Sequence, residues 1–169
     1  VWMQPGNRSQ AGPARVITFS SGTSERNFTF GQTGDLAVFR LRTDDLGAGG
    51  GRTNGTESLK APFAPDANHF VMVYDHNLLE MWIDGEYAGA QALPGGFGTW
   101  DPTHVLRIGA EEGDERQWTG TIYMAALYDR PLSQQEIGHH FALGSGPSPT
   151  TTPGAAASGN DCVSWPFDL

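Results

Sequence analysis

Between Arg15 and Arg130 apolar residues recur at every second position in short runs, each run ended by glycine, proline, asparagine or aspartate. That period belongs to strands, whose successive side chains point to opposite faces, and it leaves no room for long helices. Period-two patterns occupy Arg15–Phe19, Asn27–Phe30 and Ala37–Arg42. In the last of these Ala37, Phe39 and Leu41 share one face, and Val38, Arg40 and Arg42 the other, predicting a sheet with one side toward water. Phe70–Tyr74 is a dense apolar run. Leu78–Ile83, then Asp84-Gly85, then Glu86-Tyr87 reads as a hairpin with a primed turn. Further strands are predicted at Val105–Ile108 and Thr121–Tyr128, about eight in all, at the spacing of a sandwich or jelly roll.

One helix is marked. Pro131 precedes it, Ser133 and Glu136 form a capping box, Ile137 and Phe141 lie one turn apart, and Gly144 can close it. From Ser145 to Asn160 the chain is almost entirely Pro, Thr, Ala, Ser and Gly, a linker with nothing to bury. Apolar alternation then returns in Val163, Trp165 and Phe167.

The 169 residues suit one domain with an appendage. Ten basic residues against nineteen acidic ones give a net charge of −9, which argues against binding a phosphate backbone. No apolar run approaches the roughly 20 residues needed to span a bilayer, so neither nucleic-acid partners nor membrane insertion is expected. The single cysteine, Cys162, excludes an internal disulfide framework and a Cys-rich metal site. It reads as an ordinary free thiol, with an intermolecular disulfide as the alternative. The opening Val1, with no signal-peptide pattern, suggests a piece of a longer precursor.

The order of several segments resembles the laminin-G-like branch of the concanavalin A-like lectin and glucanase superfamily, over most of residues 2–144. The segments are Trp2–Pro5, Ala14–Ile17, Arg26–Phe28, Phe39–Thr43, His69–Asp75 and Met81–Gly85. Trp118–Gly120 leads to Leu127–Ser133, followed by Glu136-Ile137, which look like that family's closing strand and final helix. The resemblance implies an all-β, two-sheet antiparallel jelly-roll sandwich with one short C-terminal helix and a linker plus tail strand. The domain would be 1–144, the linker 145–161 and the tail strand 162–169. Such domains usually open with a strand of the type apolar-x-Trp/Tyr-Pro-Phe-Asp. No copy stands at the start of this chain, yet Val163-Ser164-Trp165-Pro166-Phe167-Asp168-Leu169 has that form. The chain is then a permuted domain closing its own sheet, a window across tandem repeats, or a subunit lending a strand to a neighbour. Val163, Trp165 and Phe167 are the expected assembly residues, and the partners are other copies or adjacent repeats.

The same resemblance implies an extracellular or cell-surface module that is not an enzyme. Glucanases of the superfamily carry spaced acids along one strand. The nearest candidate, Glu80 with Asp84 and Glu86, departs from that spacing, and Asp84-Gly85 is better explained as the turn. Related domains often hold calcium in rim loops. Asp44, Asp45 and Asn54 in the glycine-rich loop are the expected ligands, with Glu111, Glu112 and Asp114 as a second set weakened by Ala110. Carbohydrate is the alternative partner, stacking on an exposed ring. Trp100, in a loop beside Gly98 and Asp101-Pro102, is the expected surface ring and joins Asp44, Asp45 and Asn54 as the ligand-binding set, whereas Trp82 and Trp118 are expected in the core. No spacing among His69, His76, His104, His139 and His140 supports a triad or zinc site, and His69 falls where the family uses a structural residue. Of the sequons at Asn7, Asn27 and Asn54, Asn27 lies in a predicted strand and is the least suited to glycosylation.

Overall fold

A computed structural model of the chain describes residues 1–44, 59–64, 66, 68–114 and 116–145. The strands are β1 (Trp2–Pro5), β2 (Gln10–Ser20), β3 (Arg26–Gly34), β4 (Leu36–Leu41), β5 (Leu59–Pro62), β6 (Asn68–Asp75), β7 (Leu78–Ile83), β8 (Glu86–Ala92), β9 (Val105–Ile108) and β10 (Gly120–Met124), followed by helix α1 (Gln134–Leu143). They form two five-stranded sheets, ordered β10-β1-β6-β7-β8 and β5-β4-β3-β2-β9, with every ladder antiparallel. The architecture is the predicted two-sheet sandwich with one short helix. Among the described residues no helix is long and apolar enough to cross a membrane.

Ala37, Phe39 and Leu41 enter the core between the sheets, with Phe30, Phe70, Leu79 and Met81 among their neighbours. Strand alternation produces this face as expected. The opposite face meets water only in part: Arg40 and Arg42 are half-buried, whereas Val38 is covered. Register places Arg15, Gly31 and Val38 in one row, and Val38 is only 1% exposed. Arg15 and Glu111 are buried there, with the Arg15 Nε donating to Glu111 Oε2 at 3.0 Å. Ser20 Oγ donates to the other Glu111 oxygen at 2.5 Å, and Thr18 Oγ1 donates to Ser20 Oγ at 2.9 Å. Short hydroxyls and a buried ion pair have replaced the water expected over that row.

The hairpin turn is as predicted. Asp84 and Gly85 both have positive φ, 53° and 80°, and the Asp84 carboxylate accepts the His69 backbone N–H at 2.7 Å. A Cβ added at Gly85 would lie 3.0 Å from the Phe141 ring. Gly85→Ala is therefore expected to lower the unfolding free energy by about 1–2 kcal/mol in urea titration, from left-handed backbone strain and crowding together.

The capping box forms, with Ser133 N–H donating to Glu136 Oε2 at 2.8 Å and Glu136 N–H to Ser133 Oγ at 3.3 Å. α1 lays Ile137 onto the outer side of the first sheet, against Val73, Trp82 and Leu132. The Phe141 ring stacks on Trp2 at 5.6 Å. Trp118, like Trp82, is buried, and its Nε1 donates to Gln32 Oε1 at 2.8 Å.

The closing strand is shorter than predicted. It was expected to run from Thr121 to Tyr128, but β10 stops at Met124, whose partner is Trp2 near the start of β1. A strand persists only beside a partner, and from Ala125 onward β1 offers none. That early ending shapes the candidate site.

Candidate functional site

β1 pairs with β6 only through Trp2 opposite His69 and Met3 opposite Asn68. Just beyond, Val1 N donates to Phe70 O at 2.7 Å and Phe70 N–H to Val1 O at 2.8 Å. Past Phe70, among the described residues, β6 faces the 125–129 stretch, which lies outside any strand. Between them a slot opens into the core. It holds a cavity of about 460 Å³, lined at one end by Val1, Phe70 and His140 and at the other by Tyr74, Phe97 and Trp100. Its lining is mostly apolar, so apolar side chains brought to it gain by leaving water.

The far end is built by a clasp between the end of β4 and the 93–101 loop. Asp44 N–H donates to Gly96 O at 3.0 Å, and the Asp44 carboxylate accepts the Gly96 and Gly98 N–H groups. Thr43 Oγ1 donates to Pro94 O at 2.7 Å and Trp100 Nε1 to Arg42 O at 2.8 Å. Phe97 and Trp100 then lie with ring centroids 4.4 Å apart. Two of the residues singled out from sequence, Asp44 and Trp100, are thus joined through one loop. Trp100 is half-buried rather than projecting, and Phe19 and Phe28 lie within 6.1 Å of it. Asp45 and Asn54 lie outside the described residues, as do Val163, Trp165 and Phe167. Among the described residues no three His, Cys, Asp or Glu side chains gather in a way that could hold a metal.

Two members of the second acidic set are committed elsewhere. Glu111 is 2% exposed and bonded to Arg15 and Ser20, and Glu112 reaches Arg107 at 3.4 Å. Burial lowers the Arg15 guanidinium below its ordinary value, opposed by its hydrogen bond and charge pairing with Glu111. Glu80 accepts from Trp82 Nε1 at 3.3 Å and Asp84 holds the turn, so the two carboxylates have separate structural uses. The Asn27 side chain is buried and exchanges bonds with the Asp101 backbone at 2.9 and 3.0 Å, which closes that sequon.

At the near end His69 is 3% exposed, and its ring groups with those of Trp2, at 5.0 Å, and Phe141, at 6.3 Å. Burial, with smaller contributions from the Val1 amine and His140, lowers its pKa to about 3. An unfolded histidine takes up its proton near pH 6.5. Between those values the unfolded state binds more protons than the folded one, so stability falls as pH falls through this window, by up to about 1.4 kcal/mol per unit. His69→Phe is expected to flatten that decline between pH 6.5 and 4.5 in denaturation midpoints. An unchanged slope would assign the acid sensitivity to another group.

The sequence pointed to a gap in a sheet through the opening-strand motif at 163–169, but which segments border it, β6 and the 125–129 stretch, was not legible. The profile of the Laminin_G_3 family, concanavalin A-like lectin/glucanases superfamily, matches residues 1–138. No curated protein matches the chain. Among solved structures it is similar to residues 221–444 of an S-layer domain-containing protein from Clostridium thermocellum, at 16% identity and a TM-score of 0.38. That likeness covers 81% of this chain and 62% of the other, so this chain spans under two thirds of that structure's length.

Proposed function

The chain belongs to the Laminin_G_3 family of the concanavalin A-like lectin/glucanase superfamily, and from that premise we propose that it is a non-catalytic, extracellular assembly module that binds an extended apolar segment by strand addition. The observation that carries this is the slot beside β6, bounded by a strand edge on one side and opening onto an aromatic cavity. Backbone bonds to the edge supply affinity and pockets for alternate side chains supply selectivity. The segment it takes is the sequence Val163–Leu169, through which copies or adjacent repeats link. Fluorescently labelled Val163–Leu169 peptide, titrated into full-length chain carrying Trp165→Ser and Phe167→Ser, is expected to bind saturably. Absence of binding up to millimolar peptide would overturn the reading.

A second reading, calcium-assisted carbohydrate binding, draws on a polar cleft of about 460 Å³ beside Trp100, lined also by Glu25, Arg42, Asp101 and His104. Glycan-array signal lost on adding a chelator supports it, and silence with calcium present counts against it.

A further inference from the structure

We infer that the outer layer of the second sheet encloses a small monovalent anion, of the size of chloride, held against the Arg26 guanidinium beside Arg15. The site is separate from the slot and does not depend on strand addition.

Charge is sorted between the two sheets. Each strand of the second sheet carries one basic residue and no acid: Arg15 on β2, Arg26 on β3, Arg40 on β4, Lys60 on β5 and Arg107 on β9. The charged residues on the strands of the first sheet are all acids, Asp75, Glu80 and Glu86. Register sets Arg26 opposite Ser20, and it lines up Arg107, Thr18, Thr29 and Arg40 in one row. A chain with a net charge of −9 thus gathers positive charge on one sheet. Arg26 is 3% exposed, yet its Nε and Nη1 meet no acceptor among the described residues. Its Nη2 donates to Thr23 O, and Arg15 Nη2 donates to the same carbonyl at 3.5 Å. Two guanidiniums therefore converge on one neutral oxygen.

The acids around Arg26 do not close this account. Glu111, whose charge favours Arg26 most, has both oxygens engaged: Oε2 accepts Arg15 Nε, and Oε1 accepts Ser20 Oγ and, at 3.2 Å, the Glu112 N–H. Thr18 gives its hydroxyl hydrogen to Ser20, so the hydroxyl relay also ends on Glu111. Glu25 contributes less and is exposed. A buried ionised group with donors left over carries a heavy desolvation cost, and a low-dielectric surrounding magnifies the repulsion between Arg15 and Arg26. Losing a proton gives no relief at neutral pH, because a guanidinium stays charged there. A water molecule would accept a bond and leave the excess charge as it was. An anion answers both needs. With Ser20, Thr18 and Thr29 all fully buried around it, the enclosure admits a single atom rather than a phosphate or a sugar acid.

Two measurements test this. In the first, urea unfolding of the full-length chain is followed at constant ionic strength while chloride replaces gluconate. The unfolding equilibrium constant is expected to fall about tenfold for each tenfold rise in chloride above half-saturation, as one ion bound only by the folded chain requires. Arg26→Met is expected to abolish that dependence, whereas Arg130→Met, which removes an exposed pair with Glu136, keeps it. In the second, which holds even if Arg26→Met does not fold, crystals of the unaltered chain grown in bromide are expected to show anomalous signal within hydrogen-bond distance of Arg26 Nε or Nη1. Stability independent of chloride, an unchanged dependence in a folded Arg26→Met chain, or a water or a carboxylate of the chain itself at Arg26 in place of bromide overturns the proposal. Bromide at Arg26 without any chloride dependence marks an adventitious ion only and overturns it as well.

Discussion

Glu111→Ala is expected to lower the unfolding free energy by about 3–5 kcal/mol in urea titration, the range for stripping one partner from a buried ion pair. Arg15 is 1% exposed and Glu111 2%, so water cannot take over the lost partner. The neighbouring charges make the loss worse: burial also lowers the Arg26 guanidinium, to about 10, and Arg15 and Arg40 lower it further. Glu111, with a smaller contribution from Glu25, offsets this group, and without it several arginines share one low-dielectric face. Ser20 would lose its acceptor as well. Glu112, one residue on, supplies the contrast, since it meets Arg107 at the surface. Glu112→Ala is expected to change stability by less than about 0.5 kcal/mol. If the two substitutions cost the same, the buried pair is not what holds this face.

The second large effect concerns the tail. On the proposed reading, a Val163–Leu169 peptide with serine in place of Trp165 and Phe167 should bind the slot roughly 100- to 10,000-fold more weakly than the native peptide. Full burial of a large apolar side chain is worth about 1.5–3 kcal/mol, so losing two removes about 3–6 kcal/mol. Each 1.4 kcal/mol is tenfold in affinity. Anisotropy titrations against the same acceptor chain measure the ratio directly. A difference below tenfold would mean that the rings are not buried where the slot ends at Tyr74, Phe97 and Trp100.

The parts of the fold that were legible in sequence are those set by local chemistry. Alternation at Ala37–Leu41, the Asp84-Gly85 turn and the Ser133–Glu136 cap each depend on residues close in the chain, and each forms as read. Sequence reasoning stopped where partners decide. The Thr121–Tyr128 run alternates, yet β10 ends at Met124 because β1 does not extend to meet it. Val38 reads as a water-facing residue, but it shares a row with Arg15, whose partner Glu111 lies 96 positions away. Glu111 itself read as a member of a second calcium-ligand set, since nothing near it in sequence announces the arginine it neutralises. Of the candidate site, Asp44 and Trp100 were visible as residues. That one loop clasps both was not, because the Asp44 carboxylate accepts backbone N–H groups, which carry no side-chain signature.

The account stands most directly on the backbone of Met72, whose N–H faces the slot. Amide hydrogen exchange of Met72, two residues along β6 from Phe70, followed by NMR in the Trp165→Ser/Phe167→Ser chain with and without saturating Val163–Leu169 peptide, tests whether an added strand pairs there. Protection at Met72 raised at least tenfold by the peptide, while the Leu79 and Met81 amides stay protected throughout, is the predicted result. Unchanged exchange at Met72 on adding peptide would contradict it.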